Sequence, residues 1–194
     1  MAGLKQPLQD ILTKLSTIQV TNRDGQTVDL YARVWNNQVE REKDGETYNY
    51  PKPAAFVEIV GPLPFEETGK NLRTAQMTWA IHLVHEFYNQ DGTFEQDLEI
   101  YDLRDQVIAT LSQYTPTACT MLVAAQEQAD YDHDNVYHYV INFTCTMMDS
   151  KASPYDVGRG IYVDKQPPTD VQIITAKANA PVFNPIDQPY KIPQ

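Results

Sequence analysis

Cysteine is scarce in this chain of 194 residues, which contains Cys119 and Cys145 alone. Two thiols are too few to hold a metal ion by themselves, and we expect both to be buried and reduced. Long apolar runs are also lacking, since no stretch approaches the roughly 18 residues of a membrane-spanning helix. The segment 1–7 has no apolar core of the signal-peptide type. We therefore expect no membrane partner and synthesis in a cytoplasm.

Signatures of catalysis are missing as well. The sequence has no Gly-x-Ser-x-Gly motif and no glycine-rich phosphate loop, because its eight glycines are scattered at turns. Cys145 could be paired with His138 or His133 as nucleophile and base, but it alternates with apolar residues that indicate a core position. A reactive thiolate needs partial exposure and a positive neighbourhood. We therefore predict no catalytic residue and no cofactor, and expect that the chain is not an enzyme.

Two patterns could suggest a metal site, but neither has the residue spacing that such a site requires. His82 and His85 are three residues apart on a predicted strand, so they point to opposite faces and cannot share an ion. The acidic segment 130–135 starts like a calcium loop, which requires Gly at its sixth position and Glu at its twelfth. Asn135 and Ile141 stand there instead. We therefore predict a solvated turn and no metal-binding residue.

Acidic residues outnumber basic ones by 26 to 15, which gives a net charge of −11. The imbalance lies in one part of the chain, because residues 151–194 carry five basic and four acidic residues. Residues 1–150 therefore hold a charge of −12. Such a body repels phosphate backbones and disfavours ordinary nucleic-acid binding. Solubility alone is the other explanation for the charge.

The periodicity of apolar residues predicts two helices and five strands. Steps of three and four residues indicate helices over 4–18 and 96–114. Alternation or β-branched runs indicate strands over 27–40, 54–60, 75–87, 120–128 and 136–148, of which the last two form a hairpin. Turns are predicted at 22–25 and 130–135, and loops at 41–53 and 61–72. The fold class is α+β, an antiparallel sheet with two helices packed on one face.

The segment 151–194 differs from the rest of the chain. It holds seven of the thirteen prolines, yet it carries many large apolar residues that a solvated linker would avoid. We therefore divide the chain into a body, 1–150, and an extended C-terminal arm, 151–194, that lies on a surface of its own body or of a neighbour. We predict that deleting the arm leaves a folded body that assembles poorly.

Aromatic and apolar residues in polar surroundings are candidates for subunit contacts. In the body, a second covered face of the sheet is the alternative explanation for the two aromatic residues of strand 27–40. The candidate interface residues are Tyr31, Trp35, Leu63 and Phe65 in the body, and Tyr155, Ile161, Tyr162, Val182, Phe183 and Tyr190 in the arm.

The order of elements resembles the phage tail-terminator and tail-completion (neck, head–tail connector) proteins. The segment 97–112, with the sequence Asp-Leu-Glu-Ile-Tyr-Asp-Leu-Arg, Asp-Gln-Val-Ile-Ala-Thr-Leu-Ser, looks like the second helix of that family, and 136–147 looks like its closing strand. The resemblance covers roughly residues 1–150. It implies a virion protein of the tail or neck that forms a ring, commonly of six copies, and contacts tail-tube or head–tail adaptor proteins. It transfers no catalytic residue.

In such a ring DNA passes through the lumen, and an acidic lumen would let it slide without specific binding. The candidate lumen residues belong to two alternative groups, which are Asp97, Glu99, Asp102 and Asp105, or Asp130, Asp132 and Asp134. A function of a different class is a monomeric or dimeric protein-binding module whose arm folds back on its own sheet.

Overall fold

The computed structural model describes residues 3–39, 50–69, 72–86, 93–130, 136–151, 155–156 and 161–162. Two long helices are present, α1 (Lys5–Leu15) and α2 (Phe94–Leu111). The strands are β1 (Gln19–Thr21), β2 (Thr27–Asp29), β3 (Tyr31–Val34), β4 (Ala54–Ile59), β5 (Glu66–Gly69), β6 (Leu72–Glu86), β7 (Val123–Asp130), β8 (Val136–Asp149), β9 (Tyr155–Asp156) and β10 (Ile161–Tyr162). Among these residues, no helix is both long and apolar enough to cross a membrane.

The main sheet has the strand order β3-β4-β6-β8-β7, and β5 pairs with the first residues of β6. All its neighbours are antiparallel except β3 and β4, which run parallel. The α+β prediction is confirmed, with one parallel pair added to a mostly antiparallel sheet. That pair arises because the chain crosses from the end of β3 at Val34 to the start of β4 at Ala54, instead of turning back in a hairpin.

Both helices lie on the same face of this sheet, as the sequence predicts. The odd-numbered residues of β6 and β8 point to that face, and opposite pairs such as Trp79 and Phe143 are fully buried. Helix α1 contributes Ile11 and Leu15 to this core. Helix α2 contributes residues at steps of three and four, which are Ile100, Leu103, Val107 and Leu111. Burial of one stripe per helix against one sheet face is the main stabilising term of such a layer.

The opposite face of the sheet is covered as well. Its buried cluster comprises Val39, Tyr50, Ala54, Phe56, Val84 and Val136, with Tyr31 and Trp35 packed against it. Because both faces are covered, four successive residues of β4, Ala54 to Val57, are all buried. A strand buried on both sides loses the polar–apolar alternation that marks a half-exposed strand.

Several boundaries differ from the sequence prediction. The predicted strand 27–40 is two strands with different partners, because β2 pairs with β1 whereas β3 pairs with β4. Between them, Leu30 donates its N–H to the Ile18 carbonyl at 2.8 Å and so continues the β1–β2 register by one residue. The predicted loop 61–72 contains β5, whose polar residues show no alternation and pair with the long β6. The predicted turn 22–25 is confirmed. Its Gly25 has φ +72°, a conformation that favours glycine.

Candidate functional site

One edge of the main sheet is formed by β7. Within the described residues β7 pairs with β8 and with no other strand, and most of its side chains are exposed. Val123 is 52% exposed, and Met121 just before the strand is 46% exposed. The ladder is interrupted by a bulge between Ala124 and Gln126. An eight-residue edge strand exposed on both faces offers unpaired main-chain groups to another chain.

The other edge is β3, whose neighbour in the sheet is β4. Val34 at its end is 49% exposed. A groove of about 580 Å³ runs beside β3 and is lined by residues of β2, β3 and the segment 51–53. Three cationic residues line this groove, which are Arg23, Arg33 and Lys52. The two edges therefore differ in length, in strand direction and in the side chains around them.

The acidic candidates on α2 have different surroundings. Glu99 is paired with His85 at 3.4 Å, whereas Asp102 is exposed. Asp105 accepts from Arg104 at 2.6 Å. For Asp97 the described part of the structure gives the backbone of α2 alone, and Asp132 and Asp134 lie outside the described residues.

Arg104 also joins α2 to the edge strand. Its guanidinium donates to both carboxylate oxygens of Glu127 in β7, at 2.6 and 2.5 Å, and Tyr139 donates to the same carboxylate at 3.1 Å. The hydrogen bond from Arg104 lowers the pKa of Glu127, and the same bond raises the pKa of Arg104. A bidentate contact of this kind fixes the relative geometry of the two side chains and also contributes to stability.

Asp130 does not lie with the α2 carboxylates. It stands opposite His138 in the β7–β8 ladder, on the face that the helices do not cover. The next residue of β8, Tyr139, points the other way and packs edge-on against Tyr101 of α2. Asp130 is thus on the opposite face of the sheet from the described carboxylates of α2, and which candidate group faces a lumen stays a prediction.

The candidate interface residues of the body are half-buried within the chain itself. Tyr31 packs edge-on against Phe56 at 6.3 Å, and Trp35 does so at 6.0 Å. Leu63 packs against the helix-side core, and the Phe65 ring lies 4.8 Å from the Arg73 guanidinium. Tyr31 and Trp35 therefore pack against a second covered face of the sheet within their own chain, which is the alternative explanation for these two residues.

Of the arm residues, three fall in the described part. Tyr155 pairs with Tyr162, and Ile161 pairs with Asp156, in the short β9–β10 ladder. The other candidates, Val182, Phe183 and Tyr190, lie outside the described residues. A contact of the arm with a neighbouring subunit stays a prediction.

A row of hydrogen-bonded titratable side chains crosses four strands on the second face. It consists of Glu58 of β4, His82 of β6, His138 of β8 and Asp130 of β7, and is called the imidazole row below. The Glu58 Oε2 atom is 3.0 Å from His82 Nε2, and His82 Nδ1 is 3.0 Å from His138 Nε2. His138 Nδ1 is 3.0 Å from Asp130 Oδ2. Every link therefore has the length of a good hydrogen bond.

The two imidazoles of the row are buried, and an indole covers them. The side chains of His82 and His138 are 10% and 4% exposed, whereas the flanking carboxylates of Glu58 and Asp130 are 40% and 29% exposed. The Trp35 ring stacks on His82 with centroids 3.9 Å apart and planes within 4°. Burial lowers the pKa of His82, and the Glu58 and Asp130 carboxylates oppose that effect.

Sequence reasoning did not find the imidazole row, because its two histidines are 56 residues apart in the chain. His82 stands opposite Val140, and His138 stands opposite Val84 two positions along the ladder. Diagonal neighbours of this kind share a face. The even numbering of both histidines on alternating strands is the available signal, but it becomes informative only once the β6–β8 register is known.

The two thiols form a second contact. Cys145 is buried as predicted, whereas Cys119 is only half-buried. Both cysteines are free, and Cys145 accepts a hydrogen bond from the Trp79 indole N–H at 3.3 Å on the helix-covered face. A hydrogen bond from Cys119 lowers the pKa of Cys145 to about 7, and the same contact raises the pKa of Cys119. His138 lies on the opposite face, so the sheet separates it from Cys145.

No family model matches the chain, and no curated protein matches it significantly.

Proposed function

We propose that the chain is a structural virion protein of a bacteriophage, which forms a homo-oligomeric ring at the neck or tail top. There it would terminate the tail or join it to the head, with DNA passing through. The observation that carries the proposal is the open sheet, which has β3 at one edge and β7 at the other. Two different accessible edges favour head-to-tail contacts, and such contacts generate a ring when their rotation closes.

The edge strand β7 supports pairing with another copy. It is eight residues long, and its first four residues, Val123 to Gln126, are all exposed. Natural proteins usually shorten, charge or cover such an edge, because an unprotected edge strand pairs with other chains. Addition of a strand from a neighbour would satisfy its main-chain groups and place specificity in the flanking side chains.

The charge of the chain supports passage of DNA without binding. The net charge is −11, and Asp102 and Asp105 of α2 are exposed. A lumen lined with such groups makes no phosphate contacts that would hold the genome. Tail-tube and head–tail adaptor proteins are the further partners that this position implies.

Edge variants test the head-to-tail contact. Ala125→Lys places a charge at the exposed bulge of β7, and Val34→Lys places one at the exposed end of β3. Gln9→Lys adds the same charge on the exposed side of α1 and is the matched control. Native mass spectrometry and electron microscopy of the full chain should show a ring of about six copies for wild type and control, and smaller species for each edge variant.

Mixing the two edge variants sharpens the test. Chains carrying Ala125→Lys still have an intact β3 edge, and chains carrying Val34→Lys still have an intact β7 edge. A head-to-tail contact therefore predicts a heterodimer in the mixture and no ring. Wild-type chain that stays monomeric at every concentration, also with tail-tube protein added, would contradict the ring and favour the protein-binding module.

A further inference from the structure

The imidazole row has more hydrogen bonds than two neutral imidazoles can supply with protons. A neutral imidazole carries one N–H, whereas an ionised carboxylate carries none. The row has three links of 3.0 Å, and each link needs one proton between its two heavy atoms. His82 and His138 in their neutral forms supply two. The complete row therefore holds one additional proton, which belongs to the pair and not to either ring.

We propose that the imidazole row is a binding site for a single shared proton, and that it excludes a second one while its geometry is intact. A second proton would place an N–H on His82 Nδ1 and another on His138 Nε2. These atoms are 3.0 Å apart, so two donors and two cationic rings would face each other. The central link must then open.

Within the described strands, two neighbouring charged residues on the same face have contacts of their own. On β3, Arg33 lies over the Tyr31 ring with its guanidinium carbon 5.2 Å from the centroid. At the end of β6, Glu86 is 3.7 Å from Arg23 of the β1–β2 hairpin. The charged groups that face the two rings from the described strands are therefore the carboxylates of Glu58 and Asp130, one at each end.

The first and second protons have opposite effects on the row. The shared proton completes three hydrogen bonds and creates a cation under the Trp35 ring, where stacking on the indole is favourable. Burial of His82 opposes the charge and lowers the pKa of that ring, while the Glu58 and Asp130 carboxylates favour the charged form. At still lower pH the second proton separates His82 from His138. Because Trp35 also lies 5.9 Å from the His138 ring, this separation breaks its stack.

Imidazole NMR of the full-length wild-type chain between pH 4 and 8.5 tests the proposal directly. His82 and His138 are expected to titrate together in two steps separated by more than about one pH unit, as strongly interacting groups do. Replacement His138→Gln should leave a single step at His82. The matched control is His85→Gln, because His85 lies on the helix-covered face and pairs with Glu99. It should leave both steps in place.

Tryptophan fluorescence gives a second readout that needs no histidine variant. The chain has two tryptophans, so the difference between wild type and Trp35→Phe isolates the signal of Trp35. That signal should change at the same two pH values as the imidazoles. Overlapping one-proton titrations of His82 and His138 in the wild type would overturn the proposal. An unchanged two-step titration of His82 in His138→Gln would overturn it as well.

Discussion

Phe56 offers a strong test of the second covered face of the sheet. It is 1% exposed, and three aromatic rings meet it edge-on. The centroid distances are 6.3 Å to Tyr31, 6.0 Å to Trp35 and 5.1 Å to Tyr50. Replacement Phe56→Leu keeps an apolar side chain of similar size in the site and removes the aromatic contacts. We expect this variant to fold and to be less stable.

The expected loss of stability follows from the number of aromatic rings that contact Phe56. An edge-to-face pair contributes about 0.5–1.5 kcal/mol beyond area burial, and a volume-conserving swap by itself costs less than about 1.5 kcal/mol. Because Phe56 has three such neighbours, we expect Phe56→Leu to reduce the free energy of unfolding by about 2–3 kcal/mol. Phe56→Ala should cost about 3–5 kcal/mol, a large share of a typical total of about 5–15 kcal/mol.

Urea unfolding followed by circular dichroism measures these changes from the midpoint at constant slope. A double-mutant cycle separates the aromatic contact from the change in shape. Phe56→Leu with Tyr31→Leu should show a coupling of about 1 kcal/mol. The control cycle pairs Phe56→Leu with Val107→Ala, a buried residue of α2 on the other face, and should show no coupling.

A small loss of stability in Phe56→Leu, without coupling to Tyr31→Leu, would refute this prediction. If Phe56→Leu costs less than about 0.5 kcal/mol, as surface substitutions usually do, the second face is open to solvent in solution. The alternative of a second covered face for Tyr31 and Trp35 would then be wrong.

Two further substitutions test local contacts by urea unfolding. Glu127→Gln removes the carboxylate that accepts both bonds from Arg104 and should cost about 1 kcal/mol near neutral pH. Because the folded pKa of Glu127 is lowered from 4.5, its contribution is present above that value and is lost as pH falls through the folded pKa. An equal loss at pH 7 and pH 3 would contradict this. Gly25→Ala should cost about 1 kcal/mol because φ is +72° with no atom near the added Cβ. Gly25→Asn should cost less, and equal stabilities would refute the backbone explanation.

Much of the layer architecture could be predicted from periodicity, because each long element has one apolar face. Steps of three and four residues in 96–114 predicted α2, although the helix ends at Leu111. Strict alternation in 75–87 and 136–148 predicted β6 and β8, which form the longest ladder of the sheet. The short polar strand β5 could not be predicted, because pairing with β6 and not its own pattern stabilises it.

The candidate site depends on strand pairing, which cannot be predicted from a single sequence. Local pattern placed His82 and His138 on alternating strands. It placed Asp130 in the turn 130–135, whereas in the structure Asp130 is the last residue of β7. Only the tertiary structure decided that β6 and β8 pair in the register that brings the two imidazoles within 3.0 Å, because a shift of one residue would place them on opposite faces. It also decided that Trp35, 47 positions before His82, stacks on that ring. Periodicity reports which side of an element is apolar, whereas strand order and register arise from packing between elements that are distant in sequence.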